Sequence, residues 1–269
     1  SLIAPLTAWA QTAAAPNAAA SAPAAPTIRP ELRTLLLEAQ TFLNGKKYPQ
    51  ASEKVQLANA VADKTPYEDY ILSRIALSIA IAEDDAPSAN KLLEQILTLN
   101  AKGAWLKTEE TLPLMHAVGI TNYRSKDYAQ AAQWMDRNVQ AGGEDPALKN
   151  VRINAFLLAG NMQRGSDLLN EEIAAAEQAK KPPAQNHLEM LAQARNNLKD
   201  TAGYTRALEM LVLHYPSKDH WRSLMNRLWA RSDLASRLQL DLFRLAFFNS
   251  TPEESTDYSE YVDFAQKGG

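Results

Sequence analysis

The sequence predicts an all-α protein, a right-handed superhelical solenoid of antiparallel helix pairs. A short turn signal, followed three residues later by a small or medium side chain, recurs six times at intervals near thirty to forty residues. Apolar residues recur at helical spacing on both sides of these turns. No stretch combines sustained polar–apolar alternation with β-branched residues, so no sheet is expected.

The clearest turn signals are residues 45–51, 125–131 and 201–207. In each segment we expect the tyrosine to end the turn and pack against the helices. The alanine three residues later marks a point where two helices approach too closely for a larger side chain. Helix–turn–helix units repeated at this interval are typical of solenoids, which present a long surface to a partner.

The apolar spacing predicts six helix pairs, with residues 258–266 opening a seventh. Each predicted helix contributes two or three apolar residues to the contact with its partner. The predicted core includes residues near helix ends as well as at helix centres: Ala58, Ile75, Met135, Val139, Leu158, Leu169, Leu198 and Leu211.

The repeated pattern resembles the tetratricopeptide repeat (TPR). Residues 116–135 match that pattern best, with Ala117-Val118-Gly119, Asp127-Tyr128 and Ala131 in place and Tyr123 one place late. Residues 48–58 and 204–216 match its second-helix half. The resemblance covers residues 30–265. It implies a non-catalytic scaffold that binds a protein or peptide in the concave groove formed by the first helices.

One segment is more specific. Residues 211–224, which contain Tyr215-Pro216, Lys218 and His220-Trp221, are similar to a "yPxKxYW" junction in exported proteobacterial TPR proteins. Many of those proteins are encoded beside TonB–ExbB–ExbD energy-transduction systems. The resemblance implies a role in the cell envelope. In those relatives at least one further helix pair follows, so we expect a shortened chain or an unusual end.

The first residues differ in composition from the rest. The apolar residues 2–6 and the small residues of Ala8-Trp9-Ala10 are typical of the end of a signal peptide, although the basic segment that should precede them is missing. Residues 11–26 are almost wholly Ala, Pro, Ser, Thr, Asn and Gln. We therefore predict a signal-peptide remnant and disordered linker over 1–29, a repeat domain over 30–269, and a periplasmic location. A disordered tail without an export role is the alternative.

Composition excludes several functions. The chain has no cysteine, so disulfides, thiolate nucleophiles, cysteine zinc sites and lipidated cysteines are excluded. The net charge of −3 argues against a general nucleic-acid binder. No segment after the N-terminus approaches eighteen consecutive apolar residues, so no membrane span is expected in the mature chain.

A search for catalytic or cofactor motifs finds none. Among the four histidines only His214 and His220 are close, and a proline-containing junction separates them, which disfavours a metal site. Glycine-rich phosphate loops and nucleophile motifs are missing from the sequence. We expect no enzyme activity and no cofactor.

The TPR resemblance places several polar residues in the concave groove. Its repeat frame puts Asn154, Asn196 and Asn226 at one shared position, where an amide could pair with the backbone of an extended peptide. Asparagine is also common at solvated groove positions, which is the alternative explanation. The predicted groove residues are Asn150, Asn154, Asn196, Lys199, Arg222, Asn226 and Trp229.

The local charge balance could favour an acidic partner. Residues 181–249 hold ten Lys and Arg against six Asp and Glu, although a solvated surface would give the same imbalance. The resemblance to exported TPR proteins, together with the signal-like N-terminal segment, implies a binding scaffold of the envelope, within a TonB-type system. The alternative is the accessory repeat region of an envelope enzyme or a glycan-processing assembly whose catalytic part lies outside this chain.

Overall fold

A computed structural model describes residues 26–229 and eight further helical positions: Leu238, Asp241, Arg244, Leu245, Phe248, Ser259, Val262 and Gln266. Over residues 26–229 the chain forms helices joined by short loops and no strand. This confirms the all-α prediction. The predicted signal-peptide remnant and most of the linker, the second helix of the sixth pair and the opening of a seventh lie outside the continuously described residues.

Eleven helices occupy the described segment, and they alternate between first and second helices of antiparallel pairs. The first helices are α1 (Pro30–Asn44), α3 (Pro66–Ala82), α5 (Thr108–Arg124), α7 (Pro146–Leu158), α9 (Gln185–Asn197) and α11 (Lys218–Trp229). The second helices are α2 (Tyr48–Asn59), α4 (Ala86–Gly103), α6 (Tyr128–Gln140), α8 (Met162–Gln178) and α10 (Thr201–His214).

The five turns within these pairs share one geometry. In each, the last turn residue donates its N–H to the carbonyl five residues earlier, as Asp127 does to Asn122 at 2.9 Å. The residue before it has a positive φ, as Lys126 does at 64°. In four of the five turns an Asp or Asn side chain then caps the second helix, because its oxygen accepts the N–H three residues on. This common turn aligns the repeats. We therefore number equivalent positions from the first residue of each second helix, and we call this numbering the turn register.

The turn register corrects the sequence alignment of the fifth pair. The pattern predicted that Tyr204 ends the turn, but the turn ends at Asp200 and Tyr204 is the fourth residue of α10. The reason is that Asp200 caps the helix by accepting the N–H of Gly203 at 2.9 Å. Its carboxylate also pairs with Arg195 at 3.0 Å, which fixes the turn three residues earlier than predicted.

Two compact units divide the chain inside α7, between Ala155 and Phe156. The core of the first unit includes Leu32, Tyr70, Leu77, Leu93, Ile96 and Met135, each at most 1% exposed. The core of the second includes Leu169, Leu188, Leu208, Leu211 and Met225. Each unit therefore buries apolar residues from several helix pairs, as a repeat array does.

Small residues mark the closest helix contacts, as predicted. The fourth residue of α2, α4 and α6 is a fully buried alanine: Ala51, Ala89 and Ala131. In α8 the same place is Gly165, where an added Cβ would lie 2.3 Å from the Cδ2 atom of Leu157. The requirement for a small side chain is therefore steric and repeats in the first four pairs. In α10 the fourth residue is the half-buried Tyr204, and the buried alanine is Ala207, three residues later.

Three predicted core residues are not buried. Val139, Leu158 and Leu198 are 41%, 55% and 36% exposed. Each lies in the last turn of its helix or immediately after it. The helical spacing of apolar residues continues to these positions, but the neighbouring helix does not cover them.

We expect Ala131→Leu to lower the free energy of unfolding by about 1–3 kcal/mol, because the larger side chain has no room at a fully buried contact. Ala129→Leu, on the exposed side of the same helix, is the matched control and should change stability by less than about 0.5 kcal/mol. Urea unfolding followed by circular dichroism measures both. Equal midpoints for the two variants would contradict the assigned contact.

Candidate binding surface

The first helices present the surface on which a groove was predicted. In the first unit α1 contacts α3 and α3 contacts α5, so their uncovered sides are adjacent. Residues twelve and eight places before each second helix are four apart and therefore lie on one side of the first helix. We call these residues the first-helix face of each unit. Leu36, twelve places before α2, is buried and is not part of this face. In the first unit the face comprises the exposed Asn150 and six half-buried residues: Gln40, Arg74, Ser78, His116, Ile120 and Asn154.

The cation on α3 is held by aromatic side chains. The Nη1 atom of Arg74 donates to the Tyr70 hydroxyl at 3.2 Å, and its Cζ atom lies 5.9 Å from the Tyr70 ring centroid. Tyr70 is buried against Tyr67 and Trp105, with ring centroids 6.2 and 5.3 Å away. The guanidinium is therefore positioned before any ligand arrives.

The part of the face on α5 is more apolar. Ile120 is half-buried, and Tyr123, also half-buried, packs edge-on against Tyr128 with ring centroids 5.3 Å apart. His116 lies one helical turn before Ile120, and its Nδ1 atom is 3.7 Å from the Asp145 carboxylate. A partner would meet a fixed cation on α3 and an apolar strip on α5.

The amides predicted on α7 belong to the first unit. Asn150 is exposed and Asn154 is half-buried, and the two are one helical turn apart. Asn154 occupies the place eight residues before α8, the same place as Gln40 before α2 and Ser78 before α4. The predicted position of Asn154 within its repeat is therefore retained.

The amide predicted on α9 lies elsewhere in its repeat. Asn196 is five residues before α10, not eight, so it does not share the position of Asn154. Its carbonyl accepts the N–H of Lys199 at 3.0 Å in the turn that follows α9. The place eight residues before α10 belongs to the exposed Gln193, which the sequence pattern missed. The helix-capping sequence that begins at Asp200 was the available signal.

The remaining predicted residues lie on α11. Arg222 is half-buried and Asn226 is exposed, while the side chain of Trp229 lies outside what the structure describes. No second helix is continuously described after α11, so the turn register assigns Asn226 no position. Its predicted equivalence to Asn154 stays a prediction.

The junction before α11 has a structural role. The Tyr215 hydroxyl donates to the Pro183 carbonyl at 2.7 Å, and the Nδ1 atom of His220 lies 2.7 Å from the Tyr215 carbonyl. The other ring nitrogen of His220 is 3.6 Å from the Glu189 carboxylate on α9. These contacts join α11 and the junction before it to α9 and to the loop that precedes α9. The motif singled out in the sequence therefore stabilises the fold at this point.

Comparison with known proteins finds likeness in structure only. No family model and no curated protein sequence matches the chain. Apo RapI is similar over 86% of this chain and 68% of its own, at 10% identity and a TM-score of 0.41. Nearly identical TPR-like repeats from Podospora anserina are similar over 70% and 98%, at 17% identity and 0.39. The TPR2AB domain of yeast Sti1, solved in complex with pHSP90, is similar over 88% and 97%, at 9% identity and 0.38.

The described residues offer no metal centre and no membrane span. No group of three His, Asp or Glu side chains among them could hold a metal ion. None of the helices described has the length and apolarity needed to cross a bilayer. Burial lowers the pKa of His187, so its imidazole is uncharged near neutral pH and adds no cation to the second unit.

Proposed function

We propose that this chain is a non-catalytic scaffold of the bacterial cell envelope that binds a peptide or protein segment on its first-helix faces. One observation carries the proposal. Amide or hydroxyl side chains recur eight residues before the second helix in four of the five described pairs, at Gln40, Ser78, Asn154 and Gln193. Arg74, held by Tyr70, adds charge to this face, and the half-buried Ile120 and Tyr123 of α5 add contact area.

The chemistry of these side chains suits a peptide. An amide offers both a donor and an acceptor and can pair with one peptide unit of an extended chain. The position eight residues before the second helix returns once per repeat and is polar in every described pair except the third, where it is Ile120. In the second unit we propose Asn196, Lys199, Arg222, Asn226 and Trp229 as further contacts around Gln193.

The envelope location and a TonB-type system are the finer part of the proposal. They are supported by the apolar and small residues of segment 2–10 and by the resemblance of residues 211–224 to the junction of exported TPR proteins. Fractionation of cells producing the natural precursor should place the protein in the periplasm. Recovery from the cytoplasm alone would contradict the location, and copurification without ExbB or ExbD would contradict the TonB assignment.

We expect Asn154→Ala and Gln193→Ala each to weaken partner binding by about 1 kcal/mol, roughly fivefold, because each removes hydrogen bonds to the partner backbone. The partner is obtained by crosslinking in an envelope fraction, and its dissociation constant is then measured with purified chain. Gln133→Ala, on an exposed second-helix position, is the matched control.

The salt dependence of the same binding separates charge from amide contacts. Arg222→Ala should weaken binding more at low ionic strength than at high, since screening over about 10 Å at 0.1 M reduces exposed charge contacts. Affinity that survives substitution of Asn154, Gln193 and Arg222 alike would place the binding site away from the first-helix faces.

A further inference from the structure

The second helices carry clefts that the first-helix face does not explain. In the first unit a cleft of about 300 Å³ lies between α2 and α4, with α3 as its floor. In the second unit a cleft of about 370 Å³ lies between α8 and α10, with α9 as its floor. These volumes are at the lower end of the range for ligand pockets. Each cleft could therefore receive a short segment of chain.

The turn register shows that the two clefts are built alike. The sixth residue of the later second helix is a cation in both, Lys91 and Arg206. The ninth residue of the earlier second helix is an amide in both, Gln56 and Asn170. Two clefts in separate units thus share a cation and an amide at equivalent places, and the second is also lined by the Arg195–Asp200 ion pair.

The gap between the second helices α4 and α6 shows how such a cleft is closed. Between α4 and α6 the ninth residue of the earlier helix is Glu94 and the tenth of the later is Arg137, and these two form an ion pair across the gap. The seventh residue of α6 is the buried Trp134, and the Arg137 guanidinium lies 4.1 Å from its ring centroid. Leu92 and Ala207 hold that seventh place in the open clefts. Between α4 and α6, a large side chain and a crossing ion pair therefore fill the space that stays open between α2 and α4 and between α8 and α10.

Each open cleft carries opposite charges that have no ionic partner among the described residues. Within the described part of the chain, Asp69 and Lys91 of the first cleft have no ion pair or side-chain hydrogen bond. The same holds, over the described residues, for Glu177 and Arg206 of the second. None of these four charged side chains pairs with another described residue, so all four are available to a ligand.

The two charges of each cleft lie towards opposite ends. Asp69 is near the start of α3 and Lys91 near the start of α4, and the two helices are antiparallel. Glu177 is near the end of α8, whereas Arg206 is near the start of α10, which runs parallel to α8. At a rise of 1.5 Å per residue, the separation along the cleft is roughly 12 Å in the first cleft and roughly 15 Å in the second.

We propose that the second-helix clefts are docking sites, separate from the first-helix face, for an extended peptide segment with an acidic and a basic side chain three to five residues apart. An extended chain advances about 3.3 Å per residue, so three or four residues span the charges of the first cleft and four or five those of the second. The acidic side chain of the segment pairs with Lys91 or Arg206 and the basic one with Asp69 or Glu177. The amides of Gln56 and Asn170 face the segment's backbone. A free amino acid is too short to reach both charges.

A seven-residue random peptide library displayed on phage, selected against the immobilised full chain, tests the proposal. Enriched peptides should carry opposite charges three to five residues apart. For a peptide assigned to the first cleft, the charge-swapped variant Asp69→Lys with Lys91→Glu should weaken binding at least about tenfold, because like charges then meet. Exchanging the acidic and basic residues of that peptide should restore binding to the swapped variant. Glu177→Lys with Arg206→Glu is the corresponding variant for the second cleft.

Two further variants fix the location. Lys46→Glu with Glu83→Lys makes the same charge exchange at exposed positions outside the cleft and should leave binding unchanged. Leu92→Trp should block the first cleft as Trp134 fills its counterpart, while circular dichroism stays that of a folded chain. A selection that enriches no such peptides, or peptides that respond to Asn154→Ala but not to the charge swap, would overturn the proposal.

Discussion

We expect Asn122→Leu to lower the free energy of unfolding by about 2–3 kcal/mol, because it breaks a buried polar network. The Nδ2 atom of Asn122 donates to the Asn90 side-chain oxygen at 2.7 Å and to the Val118 carbonyl at 2.8 Å. Its own Oδ1 atom accepts from Asn90 at 3.0 Å, and the Trp134 indole N–H donates to Asn90 at 2.7 Å. Asn122 is fully buried, so water cannot replace these bonds. Urea unfolding followed by circular dichroism measures the loss.

Two comparisons separate the network from simple repacking. Gln133→Leu, on the exposed side of α6, should change stability by less than about 0.5 kcal/mol. Adding Asn90→Leu to Asn122→Leu should cost less than the sum of the single changes, because the second substitution removes the donor that the first left unpaired. Strictly additive losses would show that the three side chains do not act as one network.

We expect Glu68→Gln to lower the free energy of unfolding by up to about 3 kcal/mol at pH 7, and by much less at pH 2. The Glu68 carboxylate is fully buried and accepts hydrogen bonds from Arg29 Nε at 3.0 Å and from the Thr65 backbone N–H at 2.9 Å. The Arg29 side chain, together with the backbone N–H groups of Arg29 and Thr65, lowers the pKa of Glu68 to about 2. A shift of that size from its ordinary value of 4.5 corresponds to about 3 kcal/mol.

The direction of the pH dependence follows from this depressed pKa. The stabilisation is fully present above pH 4.5, where the unfolded carboxyl is ionised, and it is lost as the pH falls towards 2. Wild type and Glu68→Gln should therefore converge in stability between pH 4.5 and 2. Glu38→Gln, which removes an exposed pair with Lys54, is the matched control and should cost less than about 1 kcal/mol. A stability difference for Glu68→Gln that stays constant down to pH 2 would contradict the assignment.

The two substitutions test different links in the repeat array. Asn122 lies in α5 and connects the second and third pairs through Asn90 and Trp134. Glu68 lies in the first turn of α3 and holds Arg29, the residue before α1, to the second pair. Both are polar contacts between neighbouring pairs, where a repeat protein gains cooperativity beyond the stability of its separate pairs.

The helix pairs and the spacing of their contacts are encoded in the local sequence. Ala51 and Ala131 are buried where the turn pattern predicted, because close helix approach excludes a larger side chain and this constraint is local in sequence. The predicted alignment of Asn196 with Asn154 is wrong, because it takes Tyr204 as the end of the turn. In the fifth pair the cap at Asp200, supported by Arg195, sets the turn three residues earlier.

Which positions are covered and which charges are paired depends on how neighbouring helix pairs pack in the folded chain. Helical spacing continues through Val139 and Leu198, yet burial depends on whether a neighbouring helix reaches them. Likewise the sequence of α6 does not show that Trp134 and Arg137 close one cleft, because their partners come from α4, some forty residues away. Local periodicity is encoded within one helix pair, whereas clefts, ion pairs and polar networks arise between pairs that pack together only in the folded chain.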